Sequence, residues 1–218
     1  MELNKEQIEH IDYVLEKKGI QYWDLRIEMI DHIVSDIENH ATSDNFKKEF
    51  ENALIRVKWN KSLLSENKVG WKNINKRYRN LFKKELLKFF LSTKKSFLVI
   101  AFFIIYYTLS QNLTFAIFSK ISYIIFTLPM LIVLVSSIWL LFKRFGKSVH
   151  ISYGLFYFSF SFLMINSVIH FMRYTSDTNQ QIIWLITLPI YLAAMYAGFI
   201  VFTTAIKKVT QIKKELAL

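Results

Sequence analysis

The chain has 218 residues, a formal net charge of +11, 53% hydrophobic residues and no cysteine. Without cysteine, disulfides and thiolate chemistry are excluded, and the polar opening Met1–Glu6 carries no cleavable signal pattern. The length accommodates a small soluble domain plus a helical bundle.

Residues 1–60 predict a compact three-helix domain. Asn4 caps the first helix and Gln7, three residues on, reaches back as in a capping box. Ile8, Ile11 and Leu15 share its apolar face, and Gly19 is placed to stop it. The second helix runs from about Tyr22 to Asn39, with Ile27, Ile30, Val34 and Ile37 on one stripe. Thr42, Ser43 and Asp44 offer caps for a third, whose apolar positions are Phe46, Phe50, Ala53, Leu54 and Val57. Asn60 to Gly70 reads as a polar break. Helices this short must pack all three stripes together to be stable.

Glu28, His32, Asp36 and His40 recur every fourth residue and so lie along one face of the second helix, flanked by Asp31 and Ser35. Carboxylate and imidazole at that spacing can hold a divalent ion. There is no HExxH arrangement and no second ligand cluster, so the residues predict no metal site. A partner-docking face made of Glu28, Asp31, His32 and Asp36 is the better reading. The runs Ile8-Glu9-His10-Ile11-Asp12, Gly19 to Ile33 (with Glu28-Met29-Ile30-Asp31-His32-Ile33 at its core) and Ile37-Glu38 resemble the HAAS-type helical module. That module precedes several transmembrane helices in a family of bacterial membrane proteins. The resemblance covers residues 1–60 in sequence and the remainder in layout. It implies a signalling or regulatory adaptor with a cytoplasmic protein partner, in some members a PadR-like transcriptional regulator. It implies no active site and no cofactor.

Residues 61–95 predict a linker and a basic juxtamembrane helix from about Trp71 to Leu91. Between 71 and 95, nine bases face a single acid, Glu85. Lys72, Lys76, Arg77, Arg79, Lys83, Lys84 and Lys88 oppose a stripe of Trp71, Ile74, Tyr78, Leu81, Phe82, Leu86 and Phe89. This predicts an interfacial helix with one side for acyl chains and one for anionic headgroups of the inner leaflet. Lys, Arg and aromatics also build nucleic-acid surfaces, but the adjoining apolar run favours lipid, and no nucleic-acid partner is expected.

Four uncharged apolar runs follow, predicting transmembrane helices at about 96–113, 121–142, 150–171 and 182–206. Leu113 to Lys120 reads as the first turn. Lys83, Lys84, Lys88, Lys94 and Lys95 precede the first run. Lys143, Arg144 and Lys147 lie between the second and third, and Lys207, Lys208, Lys213 and Lys214 begin the tail, 207–218. Basic residues collect on the cytoplasmic side, so both termini are expected inside a cell (inner) membrane crossed four times. The predicted fold class is all-α: a small cytoplasmic helical domain plus a four-helix transmembrane bundle. The layout is compatible with a homo-oligomer, although the few glycines of the spans signal no close GxxxG-type contact.

The two prolines sit in one phrase, Phe126-Thr127-Leu128-Pro129 and Ile186-Thr187-Leu188-Pro189. Each lies roughly 11–12 Å inside its helix start. This predicts paired kinks at Pro129 and Pro189, with the Thr hydroxyls satisfying freed carbonyls and the two hairpins related by an approximate two-fold. Asn166, His170 and Arg173 follow one face of the third run. They are read either as a ligand pocket or as interhelical hydrogen bonding. No nucleophile–base pair, paired carboxylates or phosphate loop occurs, so no catalytic residue is assigned and an enzyme is not expected. The favoured function is a membrane-anchored regulatory adaptor. The alternative is a transporter, or an accessory subunit of one, with an outer-leaflet cavity at the kinked helices.

Overall fold

In a computed structural model, residues 1–59, 63–143, 145–171 and 174–215 are described, without the side chains of 64–66, 165 and 168–171. These residues are all-helical. Eight helices follow in order: α1 (Lys5–Lys17), α2 (Trp23–His40), α3 (Phe46–Arg56), α4 (Leu63–Leu91), α5 (Thr93–Asn112), α6 (Phe115–Phe142), α7 (Val149–Phe171) and α8 (Asp177–Glu215). They divide into two compact units. The first is Met1–Lys76, Phe145–His150 and the stretch beginning at Val209; the second is Arg77–Arg144 and Ile151–Lys208.

In the first unit, α1, α2 and α3 enclose one apolar core of Ile11, Leu15, Ile20, Met29, Ile30, Ile33, Ile37, Phe50, Ala53 and Leu54. The Asn4–Gln7 capping box is formed in both directions at 2.9 Å, and Gly19 leaves α1 with φ +95°. Arg26 ties α2 to α1. Its buried guanidinium meets Asp12 at 2.6 Å and the Ile20 carbonyl at 3.0 Å. Two expectations fail here. Asn45, not Thr42 to Asp44, caps α3, because the Thr42 and Ser43 hydroxyls turn instead to the buried Glu49 carboxylate. The polar stretch before Gly70 is no break: helix α4 already runs from Leu63, whose side chain joins the core.

In the second unit, α5, α6 and α8 are long and apolar enough to cross a membrane, and the described apolar part of α7, Val149–Met164, is shorter. Of these three, α8 is the most enclosed, with 44% of its most apolar stretch buried against 11% for α5 and α6. Tyr106, Phe118, Phe126, Trp184, Leu188 and Tyr191 form the core between α5, α6 and α8. The turn expected over Leu113–Lys120 is much tighter, because α6 starts at Phe115 behind Thr114. Helix α8 continues to Glu215, well past its apolar run, for 39 residues or ~58 Å.

α7 and α8 approach through small residues. A Cβ on Gly154 would lie 2.6 Å from Ala205 Cβ, and one on Gly198 would overlap Ser161 Oγ and press on Phe158 Cα at 3.1 Å. Close contact through glycine is therefore present, built from one glycine on each helix instead of a pair along one.

Candidate functional site

The most constrained polar constellation lies in the first unit, where the start of α2 meets residues 145–150. Asp24, in the first turn of α2, is 4% exposed. Its Oδ2 accepts the Ser148 hydroxyl at 2.6 Å and the His150 amide at 3.1 Å. Its Oδ1 accepts the Val149 amide at 3.0 Å and the Leu25 amide at 3.1 Å. The first amides of a helix have no intrahelical acceptor. One carboxylate therefore serves the N-termini of both α2 and α7, where the helix dipoles favour negative charge.

The neighbours of Asp24 reinforce the arrangement. The Trp23 indole donates to the Phe145 carbonyl at 2.7 Å, and its amide donates to the Lys147 carbonyl at 3.2 Å. Gly146 makes room for that indole: it holds φ +73°, and a Cβ there would stand 3.3 Å from Trp23 Cδ1. Lys147 Nζ reaches Gln21 at 3.0 Å, while Lys213 Nζ lies 5.6 Å from the Trp23 ring. Residues 21–25 thus join the α6–α7 connection and the end of α8 in one closed latch.

The predicted docking face divides. Glu28, Asp31 and His32 are exposed on α2, and His32 rests edge-on against Trp59 with ring centroids 6.2 Å apart. Asp36 instead accepts from Arg56 Nη2 at 2.6 Å and Nε at 2.7 Å, clamping α2 to α3. Among the described residues no three His, Asp or Glu side chains converge to hold a metal ion.

On α4, Lys72, Lys76, Arg77, Arg79, Lys83, Lys84 and Lys88 are all exposed. The opposing stripe is not free for acyl chains, contrary to the sequence expectation. Trp71 meets Tyr22 at 4.8 Å within the first unit. In the second unit Phe82 stacks on Tyr157 of α7 at 5.7 Å, Phe89 meets Tyr196 of α8 at 5.3 Å, and Tyr78 is 2% exposed. Aromatic rings at regular spacing here pack on protein.

Of the polar residues predicted along the third run, Arg173 lies outside the described residues and so does the His170 side chain. Asn166 donates to its own Phe162 carbonyl at 2.9 Å and to the Phe126 carbonyl at 3.4 Å. Tyr191 Oη also donates to the Phe126 carbonyl, at 2.8 Å. That oxygen joins α6, α7 and α8, which agrees with interhelical hydrogen bonding. Pro129 and Pro189 both lie inside their helices. The threonines do not reach the carbonyls that the prolines free, those of Ile125 and Leu185. Thr127 bonds Tyr123 at 2.6 Å and Thr187 bonds Ile183 at 2.8 Å, each two residues too early. The two phrases also face differently: Phe126 and Leu188 are buried, while Leu128 and Ile186 are exposed. Their shared letters do not occupy equivalent places.

Sequence reading missed Asp24, Trp23 and Ser148 as a site. The one signal was Ser148 standing directly before an apolar run, where an N-cap is favoured. No protein family, no curated protein and no solved structure matches this chain.

Proposed function

We propose that the chain is a multi-pass membrane protein with a cytoplasmic helical module and four transmembrane helices, α5 to α8, in a bacterial inner membrane. It serves as a regulatory adaptor that binds a cytoplasmic protein through the exposed Glu28, Asp31 and His32 of α2. The observation that carries this reading is the latch at Asp24. It gathers the N-terminal module, the α6–α7 connection and the end of α8 in one unit. Three segments that share one unit belong on one side of a bilayer, so the helices between them cross in pairs. The bases of those segments agree, since Lys and Arg favour the cytoplasmic side. The same helix α2 offers an outward acidic face and, one turn earlier, the acceptor for the first turn of α7. A partner seated on that face would bear directly on where α7 begins. The HAAS-like residues Glu28 to Ile33 support the same reading by resemblance.

The test uses the full chain in its own cells. Because it has no cysteine, single cysteines report sidedness cleanly. Asp44→Cys, at an exposed position, should resist an impermeant thiol reagent in intact cells and react after lysis. A photo-crosslinker at His32 should give one discrete adduct, lost on Glu28→Lys with unchanged thermal stability. Labelling of Asp44→Cys from outside would overturn the topology. Substrate flux by the purified chain in liposomes, with no adduct at His32, would replace the adaptor with a transporter.

A further inference from the structure

The exposed side of α4 carries more order than a basic patch. At helical spacing Lys72, Lys76, Arg79 and Lys83 form one row, and Arg77, Lys84 and Lys88 form a second. Between the rows, opposite the buried Ile74, Tyr78 and Phe89, runs a crest that changes character along the helix. Its first positions are Asn73 and Asn80, both exposed and polar. Its last are Leu87 and Leu91, exposed at 65% and 84%. Two residues further on the apolar helix α5 begins, with Phe97 and Leu98 also exposed at about 70%. A soluble surface has little reason to present Leu87, Leu91, Phe97 and Leu98 together. A hydrocarbon boundary does.

We propose that α4 lies across the headgroup layer of an anionic bilayer, its two basic rows straddling lipid phosphates and its crest descending from water at Asn73 to acyl chains at Leu91. The stripe that would ordinarily insert is packed on Tyr157 and Tyr196, so the helix binds headgroups along its length and meets hydrocarbon only at its last turn. The partner class is an anionic phospholipid, and the charges supply a salt-sensitive attraction. This goes beyond the adaptor reading and is independent of it: it would hold for a transporter equally.

The full chain in nanodiscs provides the test. Spin labels on single cysteines at Asn73, Asn80, Leu87 and Leu91 should show rising oxygen accessibility and falling accessibility to a polar nickel chelate in that order. The variant Lys76→Gln/Arg79→Gln/Lys83→Gln/Lys84→Gln should lose at least tenfold in its preference for phosphatidylglycerol over phosphatidylcholine. A matched set on the exposed bases Lys5, Lys17, Lys47 and Lys48 of α1 and α3 should leave the preference intact. Uniform aqueous accessibility along the crest would overturn the proposal. So would equal lipid preference in both variants, or salt-resistant RNA binding that depends on the same four bases.

Discussion

The Asp24 carboxylate accepts the Ser148 hydroxyl at 2.6 Å across 124 residues of chain. Three further amides complete its shell, two of them from the first turn of α7. Asp24→Ala should therefore cost more than an ordinary surface change, about 2–4 kcal/mol, since hydrogen bonds to a charged acceptor are among the stronger ones. Ser148→Ala should cost about 1 kcal/mol. Hydrogen exchange at Val149 and His150 should accelerate in both. A double variant showing simple additivity would mean that the two groups do not act together.

Arg26 and His32 lie on the same helix with opposite expectations. Arg26→Ala strips the half-exposed Asp12 and the Ile20 carbonyl of their buried donor and should destabilise the first unit by about 1–3 kcal/mol. Asp36→Ala, which frees Arg56, should cost about 1 kcal/mol because the Arg56 guanidinium left behind is about a third exposed and can be solvated. His32→Ala should stay within ~0.5 kcal/mol, as surface changes do. Thermal melts in detergent rank the three.

Glu49 gives the first unit an acid-sensitive contact. The Ser43 hydroxyl foremost, and Thr42 and Asn52 with it, hold its carboxyl below the ordinary glutamate range against a burial that pushes it up. A carboxyl lowered in the folded state contributes stability above its unfolded value of about 4.3, lost as pH falls through the folded value. Melting temperature should thus fall more steeply between pH 5 and 3 (roughly the window around that value) in the native chain than in Glu49→Gln. Parallel curves would remove Glu49 from the acid response.

The α7–α8 contact leaves no room for a methyl at Gly198. Gly198→Ala should overpack it and cost roughly 1–3 kcal/mol. Gly154→Ala should cost less, and Ala205→Gly should rescue it, because the added Cβ meets Ala205 Cβ at 2.6 Å. Failure of that rescue would show that the helices separate instead of meeting there.

Much of the fold was legible because local chemistry declared it. The Asn4–Gln7 box, Gly19 and the uncharged runs each act within a few residues. The errors arose where polar letters were read without their partners. Ser43 looks like a cap until Glu49 is placed beside it, and the stretch after Asn60 looks like a loop until Leu63 is seen in the core. The stripe on α4 was periodic as read, but periodicity does not distinguish lipid from protein as the covering surface. Asp24 was invisible as a site because three of the four groups that donate to it lie 124 to 126 residues away, and the α7–α8 contact because its glycines sit on different helices.

The first unit is sewn from three separated stretches of chain. Residues 1–76 leave the ribosome long before 145–150 and the residues after 209. Trp23 and Asp24 therefore lack the partners that Phe145 to His150 supply until α5 and α6 have been made. The approach of Lys213 to the Trp23 ring waits longer, until α8 has been made. A chain stopped before Phe145 would leave that edge unfinished, whereas one stopped before α8 would lack only the Lys213 contact.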